Sequence, residues 1–350
     1  MLQLYTTLPY ATAALPGTGG TLRAHDDDFV VDELPAYAPS GSGDHVLARI
    51  EKRGLTTPDA VRAIARALGV RERDIGVAGM KDRHAVTRQW ISLPPPVTVD
   101  QVRALAVPAV AVVEAARHGN KLRTGHLRGN RFRLVVRGAR DAELARSVLG
   151  ELARPPGAPN WFGEQRFGIR GDNAERGLAL LAGGHRGDRK LDRLMVSALQ
   201  SELFNRWLIA RLADELFRAA IAGDILHKRN GGQFACSEPA VDTARVIAGE
   251  VVPTGPMFGD AMRWPADGSA AAAREDAILA GAELARDAFH AVRAIAEGTR
   301  RDAAIEVGEP VVEPHPDGLV IAFTLPAGGY ATVVMREVMK SPAQSQTCPA

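Results

Sequence analysis

The chain has 350 residues, 46% of them hydrophobic and 24% charged, with a formal net charge of +2. That length accommodates two domains, or one domain carrying an insertion, and the composition suits a soluble globular protein rather than a disordered one. No apolar run is long enough to span a bilayer, Met1 to Gly20 lacks the basic start and apolar block of a signal peptide, and Cys236 and Cys348 show no metal-ligand or disulfide spacing. A metal-free protein of the cytoplasm is the expectation.

In chain order, residues 19–33 read as two short strands around an acidic turn, with Arg23 in the first and Phe29 opening the second. Residues 35–43 are a Pro-, Ser- and Gly-rich loop, and His45 to Glu51 alternates as a strand does. A helix follows, with Thr57 as N-cap, Pro58 in its first turn, an apolar stripe of Val61, Ile64, Ala65 and Leu68, and Gly69 to close it. It leads into two expected strands, Ile75 to Met80 and Thr87 to Leu93. Between them one carboxylate, Asp82, lies among Lys81, Arg83, His84 and Arg88. Loops on rigid strands carry chemistry, yet an acid among bases in a hairpin is ordinarily solvated surface, so the stretch alone decides nothing.

Beyond Pro94-Pro95-Pro96, Asp100 to Ala106 reads as a helix and Val110 to Ala116 as a strand. Between Glu114 and Asp141 there is no acidic residue. The interval holds Arg117, Lys121, Arg123, Arg128, Arg131, Arg133, Arg137 and Arg140, a run suited to a phosphate backbone or, equally, to a solvated face with acidic partners elsewhere. Only six of the 43 basic residues are lysine, but Arg and Ala are enriched together, as a GC-rich genome would do, so the clustering carries more weight than the ratio. Within the run, 129–136 alternates as a strand, with Phe132, Leu134 and Val136 on one face and arginines on the other.

Asp141 to Ala153 is amphipathic, and Pro155 to Pro159 is a rigid linker and a candidate boundary. After it, residues 160–168 pack Trp161, Phe162 and Phe167 with Arg166 and two glycines. From about 173 to 300 the character is helical, with an Ala-rich helix over Arg274 to Glu297, interrupted by irregular pieces at 230–232, 253–256 and 264–269. Strand patterns return at Leu319 to Leu325 and Tyr330 to Val334. That terminal piece is too short to bury a core alone and must join the N-terminal sheet. The expected fold class is therefore α+β: residues 1–158 plus 305–340 form one sheet-based domain, 159–304 a mostly helical insertion, and 341–350 a flexible tail.

Several segments together carry a resemblance: Asp28 to Glu33, Gly79-x-Lys81-Asp82-x-x-Ala85-x-Thr87-x-Gln89, Gly129-Asn130-x-Phe132, Asn160-x-Phe162-Gly163-x-Gln165-Arg166-Phe167-Gly168, Ser197-Ala198-x-Gln200-Ser201-x-Leu203-Phe204-Asn205 and Leu325-Pro326-Ala327-Gly328-x-Tyr330-Ala331-Thr332. In this order they resemble the TruD family of tRNA pseudouridine synthases over nearly the whole chain, up to Arg336-Glu337. The resemblance implies a pseudouridine synthase catalytic domain built on a mixed, largely antiparallel sheet, with a family-specific insertion. It also implies isomerisation of uridine 13 in the D arm of tRNA, without cofactor or metal. By likeness Asp82 is the catalytic aspartate, Phe29, Asn130 and Tyr330 line the uridine pocket, and Arg23 stands where relatives carry a basic residue near the aspartate. Tyr330 replaces a common Phe, Trp161 a common Tyr and Arg23 a common Lys, and none of these changes removes a group the chemistry needs.

The target base must be flipped out of a folded RNA, at roughly a few kcal/mol, and phosphate contacts offset that cost. Lys81, Arg83, Arg128 and Arg131 are the backbone-contact candidates. Rival readings are the same chemistry at another RNA site and an RNA-binding protein whose catalysis is secondary. A monomer is expected, because no coiled-coil or repeat pattern is present.

Overall fold

A computed structural model describes residues 8–168, 170–184 and 187–340. The expected tail at 341–350 lies outside the described residues. The main sheet is nine-stranded. It takes β1 (Thr21–Leu22), β2 (Phe29–Pro35), β3 (His45–Arg53), then, after α1 (Thr57–Leu68), β4 (Gly76–Val77) and β5 (Val86–Leu93). A short α2 (Val99–Arg103) precedes β6 (Val110–His118) and β7 (Leu127–Arg137), and α3 (Ala142–Ala153) follows.

At β8 (Ala158–Pro159) the chain leaves this body. It forms α4 (Asn173–Leu181), α5 (Arg189–Ala213), β9 (Ile225–Lys228), β10 (Gln233–Ala235), α6 (Pro239–Ile247), β11 (Val251–Met257), α7 (Ala270–Ala280) and β12 (Thr299–Asp302). It returns through β13 (Ala304–Ile305), which pairs antiparallel with β8, so the outgoing and incoming strands lie side by side. Then β14 (Gly308–His315), β15 (Gly318–Pro326) and α8 (Ala331–Met339) rejoin the first body.

The main sheet runs β14-β15-β7-β2-β5-β3-β6, with β1 added to β7 and β4 to β5. Only β2 and β5 pair in parallel. The mixed, largely antiparallel sheet and the return of the C-terminal strands onto the N-terminal half agree with the sequence reading. Directly opposed residues share a face. The registers therefore put Phe29, Val31 and Glu33 of β2 on one face with Thr87 and Gln89 of β5, Ile50 and Lys52 of β3, and Asn130, Phe132 and Leu134 of β7. At one end of this face α1 packs Ile64 and Ala65 on Val46, Ala48 and Ile50. At the other, α3 and α8 pack Val148, Leu149, Val334 and Met335 on Phe132, Leu134 and Ile321. The opposite face carries Trp90 with Leu47 and Leu122, and a charged network of Asp32, Arg49, Glu51 and Arg88.

Several local expectations change. The helix cap is Thr56, whose hydroxyl accepts from Asp59 N at 3.2 Å, one residue earlier than Thr57; Gly69 closes the helix in the left-handed region at φ 68° as expected. The strand expected over Ile75 to Met80 contracts to Gly76–Val77, so Asp82 sits on a long loop and not a tight hairpin. Tyr330 to Val334 is not a strand. Tyr330 is the N-cap of α8, because burial of Val334, Met335 and Val338 against α3 and the sheet overrides the strand preference of the valines. Glu337 of α8 accepts from the backbone of Ala11 and Thr12, and Arg336 lies 4.0 Å over the Tyr10 ring, which fastens the N-terminal segment.

The inserted part has more helix than strand, built on the long α5, and holds a four-stranded sheet in the order β10-β9-β11-β12. Its β11 is buried throughout and contains Pro253 and Pro256, so it shows neither the alternation nor the propensity by which strands are read. The Ala-rich helix stops at Ala280, and a 3-10 segment takes Arg286–Val292.

Candidate active site

The loop between β4 and β5 crosses the face that carries Phe29, Glu33, Lys52, Thr87, Gln89 and Asn130, and it is held from below at three points. The Thr57 hydroxyl accepts from Lys81 N at 2.9 Å and donates to Gln89 Oε1 at 2.9 Å. The Lys81 ammonium pairs with Glu33 at 2.6 Å, both side chains being nearly or wholly buried, and the other Glu33 oxygen accepts from Trp90 N at 3.1 Å. Lys52 Nζ donates to the Asp82 carbonyl at 2.8 Å and the Leu55 carbonyl at 2.6 Å. With the backbone fixed on both sides, Asp82 presents its carboxylate outward; the side chain is 45% exposed.

Arg23 meets that carboxylate from the end of β1. Its Nη2 donates to Asp82 Oδ2 at 2.7 Å. Its guanidinium carbon lies 3.9 Å above the centroid of the Phe29 ring, which is only 2% exposed and meets Phe132 edge-on. Arg23 is a non-glycine residue with φ 63°, a conformation held where surrounding structure over-determines it. That structure is the turn after it. Arg137 of β7 clasps Asp28 through Nε and Nη2 at 2.8 and 2.9 Å, and Asp28 accepts from His25 N at 3.0 Å. Burial pushes the Asp28 carboxyl up, and the Arg137 bonds and charge outweigh it, leaving it below the usual carboxylate range.

Asn130 lies on the same face, and its Oδ1 is buried with no hydrogen-bond partner among the described residues. Tyr330 is half-buried at the start of α8 and meets the Phe162 ring edge-on at 6.3 Å. Lys52 is fully buried, and that burial brings its ammonium down from 10.5 to about 8, against the pull of Asp82 and with repulsion from Lys81.

The backbone-contact candidates divide. Arg83 and Arg128 are exposed, Arg128 beside the turn after β15, where Ala327 N donates to its carbonyl. Lys81 is consumed by Glu33. Arg131 lies on the face opposite Asp82 and pairs with Glu309 at 2.6 Å. The basic run is therefore not one patch. Arg117 sits on edge strand β6, four strands from β7 and so roughly 19 Å away at the usual spacing, and Arg137 is structural. The counter-charges, Asp28, Glu309 and Asp317, are distant in sequence and invisible along it.

Lys52, Thr57 and Glu33 were not read from the sequence as site residues. Lys52 did leave a signal, since it shares strand parity with Val46, Ala48 and Ile50 and thus falls on the apolar face of an alternating strand. Among the described residues no group of His, Cys, Asp and Glu is arranged to hold a metal, and no helix is long and apolar enough to cross a membrane.

Comparison with known proteins gives the family. The family model described as tRNA pseudouridine synthase D (TruD) matches residues 6–188 and 185–338. A tRNA pseudouridine synthase D of Anaeromyxobacter dehalogenans strain 2CP-1 is 53% identical, covering 97% of this chain and 98% of its own. One from Thermus thermophilus is 41% identical, covering 95% and 92%. The crystal structure described as a putative tRNA pseudouridine synthase D from Methanosarcina mazei superposes with a TM-score of 0.75 at 22% identity, covering 95% of this chain and 96% of that one, and so shares the fold. On the strength of the family match and of relatives aligned over nearly their full length, the chain belongs to the TruD family of tRNA pseudouridine synthases, which are isomerases.

Proposed function

We propose that this chain converts uridine 13 in the D arm of tRNA to pseudouridine, with Asp82 as the catalytic carboxylate. The observation that carries the reading is the outward Asp82 carboxylate on a loop whose backbone is held by Thr57 and Lys52 and whose Lys81 side chain is held by Glu33. A preorganised reacting group needs such support.

The reaction is an isomerisation with no net change of atoms. The C1′–N1 bond breaks and leaves its electron pair on the uracil ring. The ring turns, C5 bonds to C1′, the C5 proton is lost and N1 gains one. An ionised carboxylate assists either as nucleophile at C1′, forming an ester that C5 later displaces, or as base toward a ribose proton. Turning the ring about its N3–C6 axis exchanges N1 with C5 and leaves N3 in place. A contact to N3–H therefore persists through the turn, and the unpartnered Asn130 Oδ1 suits that acceptor role. Tyr330 offers a ring for stacking. Arg23 now covers the Phe29 face, so a base reaching that face displaces Arg23 and releases the Asp82 carboxylate at the same moment.

Arg83 and Arg128 are the backbone contacts this reading retains. Asp82→Ala tests the assignment: RNA affinity stays within a few-fold of wild type while isomerisation disappears. Conversion by the variant would remove Asp82 from the mechanism.

A further inference from the structure

Around Phe162 the segments 160–168, 197–205 and the start of α8 converge on two arginines that the Asp82 chemistry does not use. Arg301 of β12 lies 4.0 Å over the Phe162 centroid, and Arg166 lies 5.5 Å from the same ring. Asn205 holds the ring's backbone, accepting from Phe162 N and donating to Phe162 O, each at 3.0 Å. Arg166 donates to Ser201 Oγ at 3.0 Å and to Ser197 Oγ; Arg301 donates to the Asn160 carbonyl at 3.2 Å and to its side-chain oxygen. All these partners are neutral, and among the described residues neither guanidinium has a carboxylate within ion-pair distance.

Arg166 and Arg301 are half-buried, and the buried Arg300 and Arg211 differ from them. Arg300, next in sequence, pairs with Glu275 at 2.7 Å, and Arg211 with Asp224 at 2.7 Å. An acid is not universal, since Arg336 over the Tyr10 ring donates to the Leu8 carbonyl, but among the described residues no second guanidinium shares that ring. Arg301 has no such acid, although burial lowers it to about 10, where it remains charged at neutral pH; Tyr330 and Asp302 pull the other way and Arg166 repels it. Two like charges held on one ring, with neutral groups fixing their orientation, form a site short of an anion. The Phe162 ring also meets Tyr330, so the pair lies beside the uridine pocket where Tyr330 lines it.

We propose that Arg166 and Arg301 bind a backbone phosphate flanking the flipped-out uridine. Guanidinium forks match phosphate oxygens in bidentate fashion, and the Ser and Asn contacts leave donors free for this on both side chains. The phosphate would hold the nucleotide's sugar against Asp82 while the ring turns. This rests on the reading that the Asp82 pocket takes a tRNA uridine.

The test is a cycle between protein and RNA. Ligated tRNAs carry a neutral methylphosphonate at the linkage 5′ or 3′ of the target uridine, and are compared with unmodified tRNA on wild type, Arg166→Gln, Arg301→Gln and Arg301→Lys. One linkage should raise the wild-type KM by about tenfold or more, the size of a lost charge-assisted hydrogen bond, and raise it hardly further in either Gln variant. The slope of log KM against log salt should fall by about one in the Gln variants and recover in Arg301→Lys. Circular dichroism confirms folding, and Arg166→Gln, whose lost partners are two serines, covers the case in which Arg301→Gln unfolds. Equal loss in wild type and variants, with an unchanged salt slope, would overturn the phosphate site while leaving the proposed function intact. If wild type converted no tRNA uridine, that function itself would fail.

Discussion

Arg23 and Asp82 form the contact on which the residue-scale account turns, because the same guanidinium stacks on Phe29 and pairs with the Asp82 carboxylate. Arg23→Ala should lower kcat more than it raises KM, and Arg23→Lys should restore much of the rate without the stacking; steady-state kinetics on tRNA separates the two. Lys52 gives a sharper pH signature. Its folded value of about 8 lies below the 10.5 of an unburied lysine. Between these values the unfolded chain holds the extra proton, so stability rises with pH across that window, and below pH 8 the cost of burying the charge stands in full. Thermal melts of wild type and Lys52→Met from pH 7 to 10 should converge in wild type's favour as pH rises. The variant also loses the bond to the Asp82 carbonyl, and a displacement of about 1 Å there would cost on the order of 10²-fold in kcat. The motif around Asp82 is compact, so the sequence draws attention to it. The role of Lys81 was not legible, since Glu33 lies 48 positions away and only the fold brings them together.

Among the elements, the acidic turn before β2 does more than connect. The Asp28–Arg137 clasp shapes the turn that holds Arg23 at a positive φ. Asp28→Asn should destabilise the protein by about 2 kcal/mol, between the cost of losing an exposed pair and a buried one, and should reduce kcat through Arg23. Denaturant melts and kinetics check both. Because the Asp28 carboxyl is held below its usual range, its contribution is present above about pH 4 and is lost as pH falls through the folded value. The turn, α1 and α3 were readable from caps and spacing. The helix α8 was not, because a run of Thr and Val is strand-like until its burial against α3 is known.

For the whole molecule, sheet sidedness decides which charges meet RNA. Arg131 and Asp82 occupy opposite faces. Arg128→Glu should weaken tRNA binding and flatten its salt dependence, whereas Arg131→Glu should leave both near wild type; filter binding across a salt series distinguishes them. The return of β14 and β15 to the N-terminal sheet was foreseeable, since so short a segment buries too little by itself. The convergence of Phe162, Arg166, Arg301 and Tyr330 was not, because it joins both ends of the inserted part, brought together at the paired crossings β8 and β13, to the start of α8.

The central claim is that the clamped Asp82 loop isomerises one uridine of tRNA. Site-resolved pseudouridine mapping on tRNA treated with wild type or Asp82→Ala tests it most directly. The account predicts a single strong signal at position 13 with wild type and none with the variant. Signal at position 13 from Asp82→Ala, or none from folded wild type, would contradict it.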